Sequence, residues 1–415
     1  MARVTVHGYV HPDFQPLADD FSRQLAKPGR GGASLSVYFR GHCVADVWAS
    51  DPSGESGWSQ DSLAMCFSTT KGVASTALHI CAARGLIDYD KPVAEYWPEF
   101  AAGGKSMIRV RDVLCHSAGL HGIRRIVDRA ERLLDWDHMT SALAAARPSY
   151  VAGTAHGYHA LTYGWLTGEL VRRVSDKPLA EFVRDEIAAP LGLDGLHIGC
   201  PEADRGRIVE LRPVSAPPVF NRGIFRKMGV IGGKAISAMK LPVNTRRLVN
   251  ALVPRGMNDL LWSPEVRDAT IPSANGFFDA RSLAKMYALI ANGGSLDGER
   301  LLSRDQLRRI SLVQTRGLDR VLVMPMRWRL GYHMVGTTRG ILPDAFGHYG
   351  FGGSGGWADL SRNLSLAFVP TRGTGTPVGD LRILRSSTIA VACADRIDEF
   401  SPEPEPDREQ IRLIA

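Results

Sequence analysis

The spacing of apolar positions along this chain changes several times, and each change marks an element. Phe14, Leu17, Phe21 and Leu25 recur at helical intervals after Asp13, and Pro28-Gly29-Arg30-Gly31-Gly32 closes that run. The period then drops to two. Leu35, Val37 and Phe39 alternate with Ser34, Ser36 and Tyr38; Arg40-Gly41-His42 turns; Val44 to Trp48 returns. That pattern predicts a β-hairpin. A Gly/Ser-rich loop, Ser50 to Gln60, precedes a second helical run through Val73, Ala74, Ala77, Leu78 and Cys81, with Gly85 placed to end it. Leu86 to Phe100, carrying Pro92 and Pro98, reads as irregular. A short helix is predicted over Arg111 to Ser117, closed by Gly119 and containing His116. One histidine in a helical turn reads first as a structural hydrogen-bonding group.

Helical spacing resumes at Leu161, Trp165, Gly168 and Val171, and again at Leu179, Phe182, Val183 and Ile187. Tyr158 sits at the loop-to-helix junction before the first of these. From about Glu202 to Trp262 the pattern is broken by Pro213, Pro217, Pro218, Gly223, Gly232 and Gly233. That region reads as a cap over a cleft, a weakly amphipathic surface touching lipid, or a solvated insertion. Ile271 to Gly276 is a turn, and a helix follows over Arg281 to Ala291. Strand candidates flank Ser361-Arg362-Asn363, the second being Leu364 to Val369, and a last helix spans Leu381 to Cys393. A helix after two antiparallel strands suggests a sheet with helices packed on it rather than a βαβ wind.

Composition narrows the class. With 415 residues, 44% apolar and 22% charged, the chain is an ordinary globular protein long enough for two domains. Its net charge of +7 does not imply nucleic acid, because the basic residues are dispersed and only nine of the fifty are lysine. The six cysteines are scattered and form no C-x-x-C pair, so neither a zinc ribbon nor a disulfide framework is implied. No cofactor motif and no H-E-x-x-H metal site occurs. The N-terminal residues lack an apolar signal core and no stretch reaches the length of a membrane span, so a cytoplasmic location is expected.

The candidate chemistry lies in Cys66-Phe67-Ser68-Thr69-Thr70-Lys71-Gly72. Ser68 and Lys71 are three apart at a helix start, so they share one face. A serine hydroxyl becomes nucleophilic when a base takes its proton, and a desolvated lysine can be that base. The S-x-x-K pattern recurs at Ser237–Lys240 and Ser282–Lys285. The former lies in the Pro/Gly-broken region; Ser282 falls in a first helical turn, where serine is common, and Lys285 on a polar side. Gly352-Gly353-Ser354-Gly355-Gly356 fits the G-x-S-x-G nucleophile elbow. That fold needs a histidine after the serine, and the last histidine here is His348, so the match reads as a glycine-rich loop.

Five pieces in order carry a resemblance. They are Phe67 to Gly72, Leu114 to Leu120, Gly157-Tyr158-His159-Ala160-Leu161-Thr162-Tyr163-Gly164, Ala280 to Ala284, and Gly347-His348-Tyr349-Gly350. Together the chain resembles the beta-lactamase-like serine hydrolases, most closely the family VIII carboxylesterases, over roughly Leu35 to Pro370. The resemblance implies an α/β fold of the α+β type: an antiparallel sheet flanked by helices, with a helical domain inserted. It implies a sheet domain from 1–85 and 270–415, and a helical domain over 86–269 with the cap-like region 202–262. It implies Ser68 as acylated nucleophile, with Lys71 and Tyr158 as its proton partners. The oxyanion hole would be the amides of Ser68 and Phe351, with His348 and Gly350 beside the substrate.

Departures from the family pattern bear on substrate. Beta-lactamases and transpeptidases carry Asn two residues after the tyrosine and Lys-Thr-Gly on the late strand, where this chain has Ala160 and His348-Tyr349-Gly350. The expected activity is hydrolysis of short- to medium-chain carboxylic esters through an acyl-enzyme, without a cofactor and with a small-molecule ester as partner. A beta-lactamase, a D-amino-acid peptidase or amidase, and an acyltransferase are the alternatives. Oligomeric state is not legible.

Overall fold

The computed structural model describes residues 4–54, 57–213, 251, 253–373, 379–402 and 412–414. Its main feature is an eight-stranded antiparallel sheet. The strands are β1 (Val6–Val10), β2 (Gly32–Phe39), β3 (His42–Ser50), β7 (His333–Thr337), β8 (Gly340–Tyr349), β9 (Gly355–Asp359), β10 (Leu364–Pro370) and β11 (Arg412–Ile414). Their order across the sheet is β7-β8-β9-β10-β2-β3-β1-β11. The three short strands numbered between them, β4 (Ala64–Met65), β5 (Leu196–Ile198) and β6 (Gly276–Phe278), form a separate small sheet in the order β4-β6-β5.

Strand alternation explains the layering. Leu364, Leu366 and Phe368 face one core with Leu35, Val37 and Phe39, while Ala367 and Val369 face the other with Tyr38. The register pairs Leu366 with Val37 and Phe368 with Leu35, so each inward row continues across the joint. Helices α1 (Gln15–Leu25) and α8 (Leu381–Ala394) cover the first face. Helix α7 (Ala280–Ala291) covers the second, with α2 (Thr70–Ala83) beyond it. The segment between α2 and β5 supplies α3 (Val110–Leu114), α4 (Trp136–Ala145), α5 (Thr162–Ser175) and α6 (Leu179–Val183), which pack on α2 and on each other.

Local rules account for several boundaries. Asp279 accepts from Ser282 N–H at 2.6 Å and opens α7; Asp380 accepts from Arg382 N–H at 2.8 Å and opens α8. The β9–β10 turn places Asn363 at φ 50°, a left-handed position that asparagine tolerates. The expected hairpin, the α2 run and the strand pair around Ser361 are all present. Several features differ from the sequence reading. Leu86 to Phe100, read as irregular, contains a one-turn helix at Val93–Tyr96 and opens a 3₁₀ segment at Pro98. Strand β1 is additional: it pairs with β3 but contains Gly8 and shows no clean alternation. Helix α3 stops at Leu114, so His116 lies beyond it, at φ 60°. Ser237–Lys240 and most of the cap-like region fall outside the described residues. Among the described residues no helix is long and apolar enough to cross a membrane.

Candidate active site

Ser68 occupies a short 3₁₀ turn, Phe67–Thr69, that runs directly into α2. The turn is clamped from two sides. On one, Cys66 N–H donates to the Gly276 carbonyl at 2.7 Å and Gly276 N–H donates to Thr70 Oγ1 at 2.8 Å, which ties it to β6. On the other, Ser354 Oγ donates to the Cys66 carbonyl at 2.8 Å and lies 3.1 Å from Thr69 Oγ1. Phe67, the residue before Ser68, is held at φ 46°. Such strain in a non-glycine residue persists only where surrounding bonds over-determine the backbone. Gly72 lets α2 seat this closely: a Cβ there would lie 2.1 Å from Tyr287 Oη on α7.

Two polar side chains converge on the Ser68 hydroxyl. Lys71 Nζ is 2.9 Å from Ser68 Oγ and 3.0 Å from the Ser273 carbonyl oxygen. Tyr158 Oη donates to Ser68 Oγ at 2.7 Å. Lys71 and Tyr158 are buried, whereas Ser68 is part-exposed. No carboxylate pairs with Lys71 among the described residues. Burial therefore pushes its pKa well below the ordinary lysine value. Burial also raises the Tyr158 phenol, against the opposing effect of its bond to Ser68. Both groups are driven toward their neutral forms. A neutral amine beside a hydroxyl is a proton acceptor, and a neutral phenol on the same oxygen is a proton donor.

The late strand reaches the same place. His348 is buried at the end of β8, its ring centroid 6.3 Å from that of Tyr158. Its Nδ1 is 2.9 Å from the Tyr349 carbonyl, and its Nε2 is buried with no hydrogen-bond partner among the described residues. Burial first, then His333 and Lys71, holds the imidazole pKa well below its usual value. Gly350 N–H donates to the Ser354 carbonyl at 2.7 Å, and a Cβ on Gly350 would lie 2.2 Å from the Cys66 carbonyl oxygen. Phe351 follows, its ring edge-on to Phe67 at 5.5 Å. Ser68, Lys71, Tyr158, His348, Gly350 and Phe351 are thus gathered in one locus. Ser354 serves in the clamp. Ser282 Oγ accepts from Gly195 N–H at 3.1 Å, and Lys285 pairs with Asp297 at 2.7 Å, so that copy of the motif lies elsewhere.

Residues 17–387 match the family model described as Beta-lactamase. The chain belongs to the beta-lactamase family. It is 41% identical over 376 residues to "Esterase/beta-lactamase LipL" of Mycobacterium tuberculosis (strain ATCC 25618 / H37Rv), covering 88% of this chain and 83% of that protein. It superposes on a family VIII carboxylesterase with TM-score 0.79 at 32% identity, covering 94% and 99% of the two chains. A penicillin-binding protein homologue from Caulobacter crescentus also gives TM-score 0.79 at 32% identity, covering 93% of this chain and 99% of the other. This chain is a beta-lactamase-like serine hydrolase.

Three residues of this family member's site carried no sequence signal. Ser273 offers its backbone carbonyl to Lys71, while its Oγ accepts from Gly164 N–H at 2.7 Å. Gly164 permits that approach, since a Cβ would meet the Pro272–Ser273 backbone at 2.5 Å. Asp319 accepts from the Tyr158, Val321 and Leu322 amides at 3.1, 2.8 and 2.9 Å and from Trp328 Nε1 at 3.0 Å. The Trp328 ring in turn packs on Tyr158. His116, read from sequence as structural, contacts Tyr158 at 5.2 Å between ring centroids, and its Nδ1 accepts from His159 N–H at 3.1 Å. Its pKa is held well below the usual value by burial and by its histidine and lysine neighbours.

Proposed function

We propose that the protein hydrolyses carboxylic esters of short to medium acyl chain length through an acyl-enzyme on Ser68. The observation that supports this reading is the pairing of Ser68 Oγ with the buried Lys71 at 2.9 Å and with Tyr158 at 2.7 Å. In this reading Ser68 Oγ attacks the ester carbonyl carbon as its proton passes to the neutral Lys71 amine. The amides of Ser68 and Phe351 stabilise the oxyanion, each such donor contributing about 2.7–4 kcal/mol. Collapse breaks the bond to the alkoxide, which takes a proton from Tyr158, and the Lys71 ammonium restores that proton. Water then attacks the acyl carbon as its proton passes through Tyr158 to Lys71, and collapse breaks the bond to Ser68 Oγ, which takes the proton back from Lys71 and frees the acid.

Esters are favoured over lactams by what stands where the family's amide and ammonium would be. Ala160 is a buried methyl group, and His348 is held neutral. Neither grips a carboxylate or a peptide-like amide. The relative named esterase/beta-lactamase keeps lactam hydrolysis as the alternative. The deciding experiment is initial-rate hydrolysis of p-nitrophenyl esters from acetyl to palmitoyl, with nitrocefin in parallel, by wild type and Ser68→Ala. Ester turnover that exceeds nitrocefin turnover, peaks below about ten acyl carbons and vanishes in the variant is expected. Turnover that survives Ser68→Ala overturns the mechanism; nitrocefin turnover above ester turnover overturns the substrate.

A further inference from the structure

A polar cavity of about 410 Å³ is lined by Gly153 to His156, just before Tyr158, and does not include Ser68, Lys71 or His348. Arg109, Arg111 and Arg316 line it, against one carboxylate, Asp112, among the described residues. Arg109 pairs with that carboxylate at 3.2 Å, and Arg111 pairs with Asp90 at 2.7 Å. Arg316 has no ion-pair partner among the described residues. A guanidinium carries five donors, so the two paired arginines keep donors to offer. His156 also lines the cavity. It is 6% exposed, and its Nε2 is buried with no hydrogen-bond partner among the described residues. A buried polar atom left unpaired costs free energy that a ligand atom can recover.

These features select an occupant by charge, geometry and size. A cleft lined mostly by one sign of charge concentrates ions of the other. Planar guanidinium forks match carboxylate and phosphate oxygens two at a time. The volume falls within the ~300–1,000 Å³ of small-molecule sites and exceeds what one inorganic phosphate fills. We propose that this cavity binds a small organic oxyanion, through a carboxylate or phosphate group held by Arg316 with Arg109 and Arg111, and that its occupancy alters turnover at Ser68.

The walls supply the coupling. Cys115 and Ser117 line the cavity on either side of His116, whose ring lies 4.1 Å from Trp328 and 5.2 Å from Tyr158 between centroids. Thr315 lines it and accepts from Trp328 N–H through Oγ1 at 3.1 Å. His156 precedes Tyr158 by two residues, and the intervening Gly157 N–H donates to the His116 carbonyl at 3.0 Å. An anion drawing Arg316 and His156 together therefore acts on the residues that pack around the Tyr158 phenol.

Binding is tested by calorimetry at fixed ionic strength, with citrate and glycerol 3-phosphate as probes and glycerol as neutral control. Saturable binding of either anion is expected, weakened at least ten-fold by Arg316→Ala. Tighter citrate binding assigns the carboxylate class, and tighter glycerol 3-phosphate binding the phosphate class. Arg320→Ala removes the same charge from an arginine outside the lining, stacked on Tyr150 at 5.0 Å, and is expected to leave the affinity within two-fold. Failure of both anions to bind, or equal weakening by the two variants, overturns the site. Because binding is read by heat, this result stands apart from whether the substrate is an ester. With the bound probe saturating, the rate at which a fluorophosphonate labels Ser68 is expected to change at least two-fold. Binding with an unchanged labelling rate overturns the coupling.

Discussion

The Trp328 and Tyr158 rings lie face to face, with centroids 5.5 Å apart and planes 9° from parallel. One carboxylate, Asp319, holds both: it accepts from Trp328 Nε1 and from the Tyr158 backbone amide. The phenol that meets Ser68 is thus fixed through its backbone and through its ring face. Asp319→Ala is expected to destabilise the fold by about 3 kcal/mol or more, since it strands four donors in a buried place. Trp328→Phe keeps an aromatic face and loses one hydrogen bond, so a cost of about 1 kcal/mol and a kcat drop of several-fold are expected. Urea denaturation and steady-state kinetics on both variants check the ordering; equal stability losses would contradict it.

Lys71→Met tests the neutral-amine base. The substituted chain is unbranched and apolar, so it fits a buried site, and Tm is expected to stay within a few degrees of wild type. Ester turnover is expected to fall at least 10³-fold, within the range for a lost general base. In wild type, kcat/KM is expected to fall as pH drops through the Lys71 pKa, because protonation removes the acceptor. Burial puts that pKa well below 10.5, so the alkaline plateau begins well below pH 10.5. A profile whose rise waits until about pH 10.5 would contradict a desolvated lysine.

Ser354→Ala separates the clamp from the nucleophile. It removes the bond to the Cys66 carbonyl and the contact with Thr69 Oγ1, while Ser68 keeps both proton partners. A ten- to hundred-fold loss in kcat, about 1.4–2.8 kcal/mol, is expected, with fluorophosphonate labelling retained. Gly350→Ala should be worse, because its Cβ would displace the Cys66 carbonyl itself. Complete loss of labelling in Ser354→Ala would move the nucleophile away from Ser68.

Asp279 gives a stability prediction of opposite pH sense. Burial raises its pKa from 3.8 to about 6, although Arg281 pulls it down. The folded state therefore holds this proton longer than the unfolded chain does. Its contribution is full below about pH 3.8 and is lost as pH rises through about 6, at a cost on the order of 3 kcal/mol. Asparagine also caps helices well. Asp279→Asn is expected to gain about 1–3 kcal/mol at pH 7.5 and little at pH 4, measured by urea denaturation at both values. A larger gain at pH 4 would reverse the sign.

Legibility in the sequence followed the range of each interaction. Ser68 and Lys71 are one helical turn apart, so their meeting was readable from spacing. The β2–β3 hairpin was readable because period two and a turn are both local. Tyr158, ninety positions from Ser68, was reached only through the resemblance in Gly157 to Gly164. Ser273, Asp319 and Trp328 were not reached. Ser273 contributes a backbone carbonyl to Lys71, which any residue carries. Asp319 and Trp328 act from irregular chain, where no period marks a face. His116 lies past its predicted helix because its left-handed conformation is fixed by partners such as Gly157, forty-one positions on.

The joint between β2 and β10 has a consequence for biosynthesis. These neighbours at the middle of the sheet are separated by more than three hundred residues, Phe39 pairing with Leu364 and Ala33 with Pro370. At about 5–20 residues per second, a ribosome needs roughly 15–65 s to deliver the second strand after the first. Through that interval the free edge of β2 stands unpaired and the apolar face that α7 covers stays bare until that helix emerges, with α1 alone available for the other face. Nascent chains halted before β10 are therefore the ones a chaperone should hold, and a pulse-chase of stalled lengths should show the bound fraction fall once β10 has emerged.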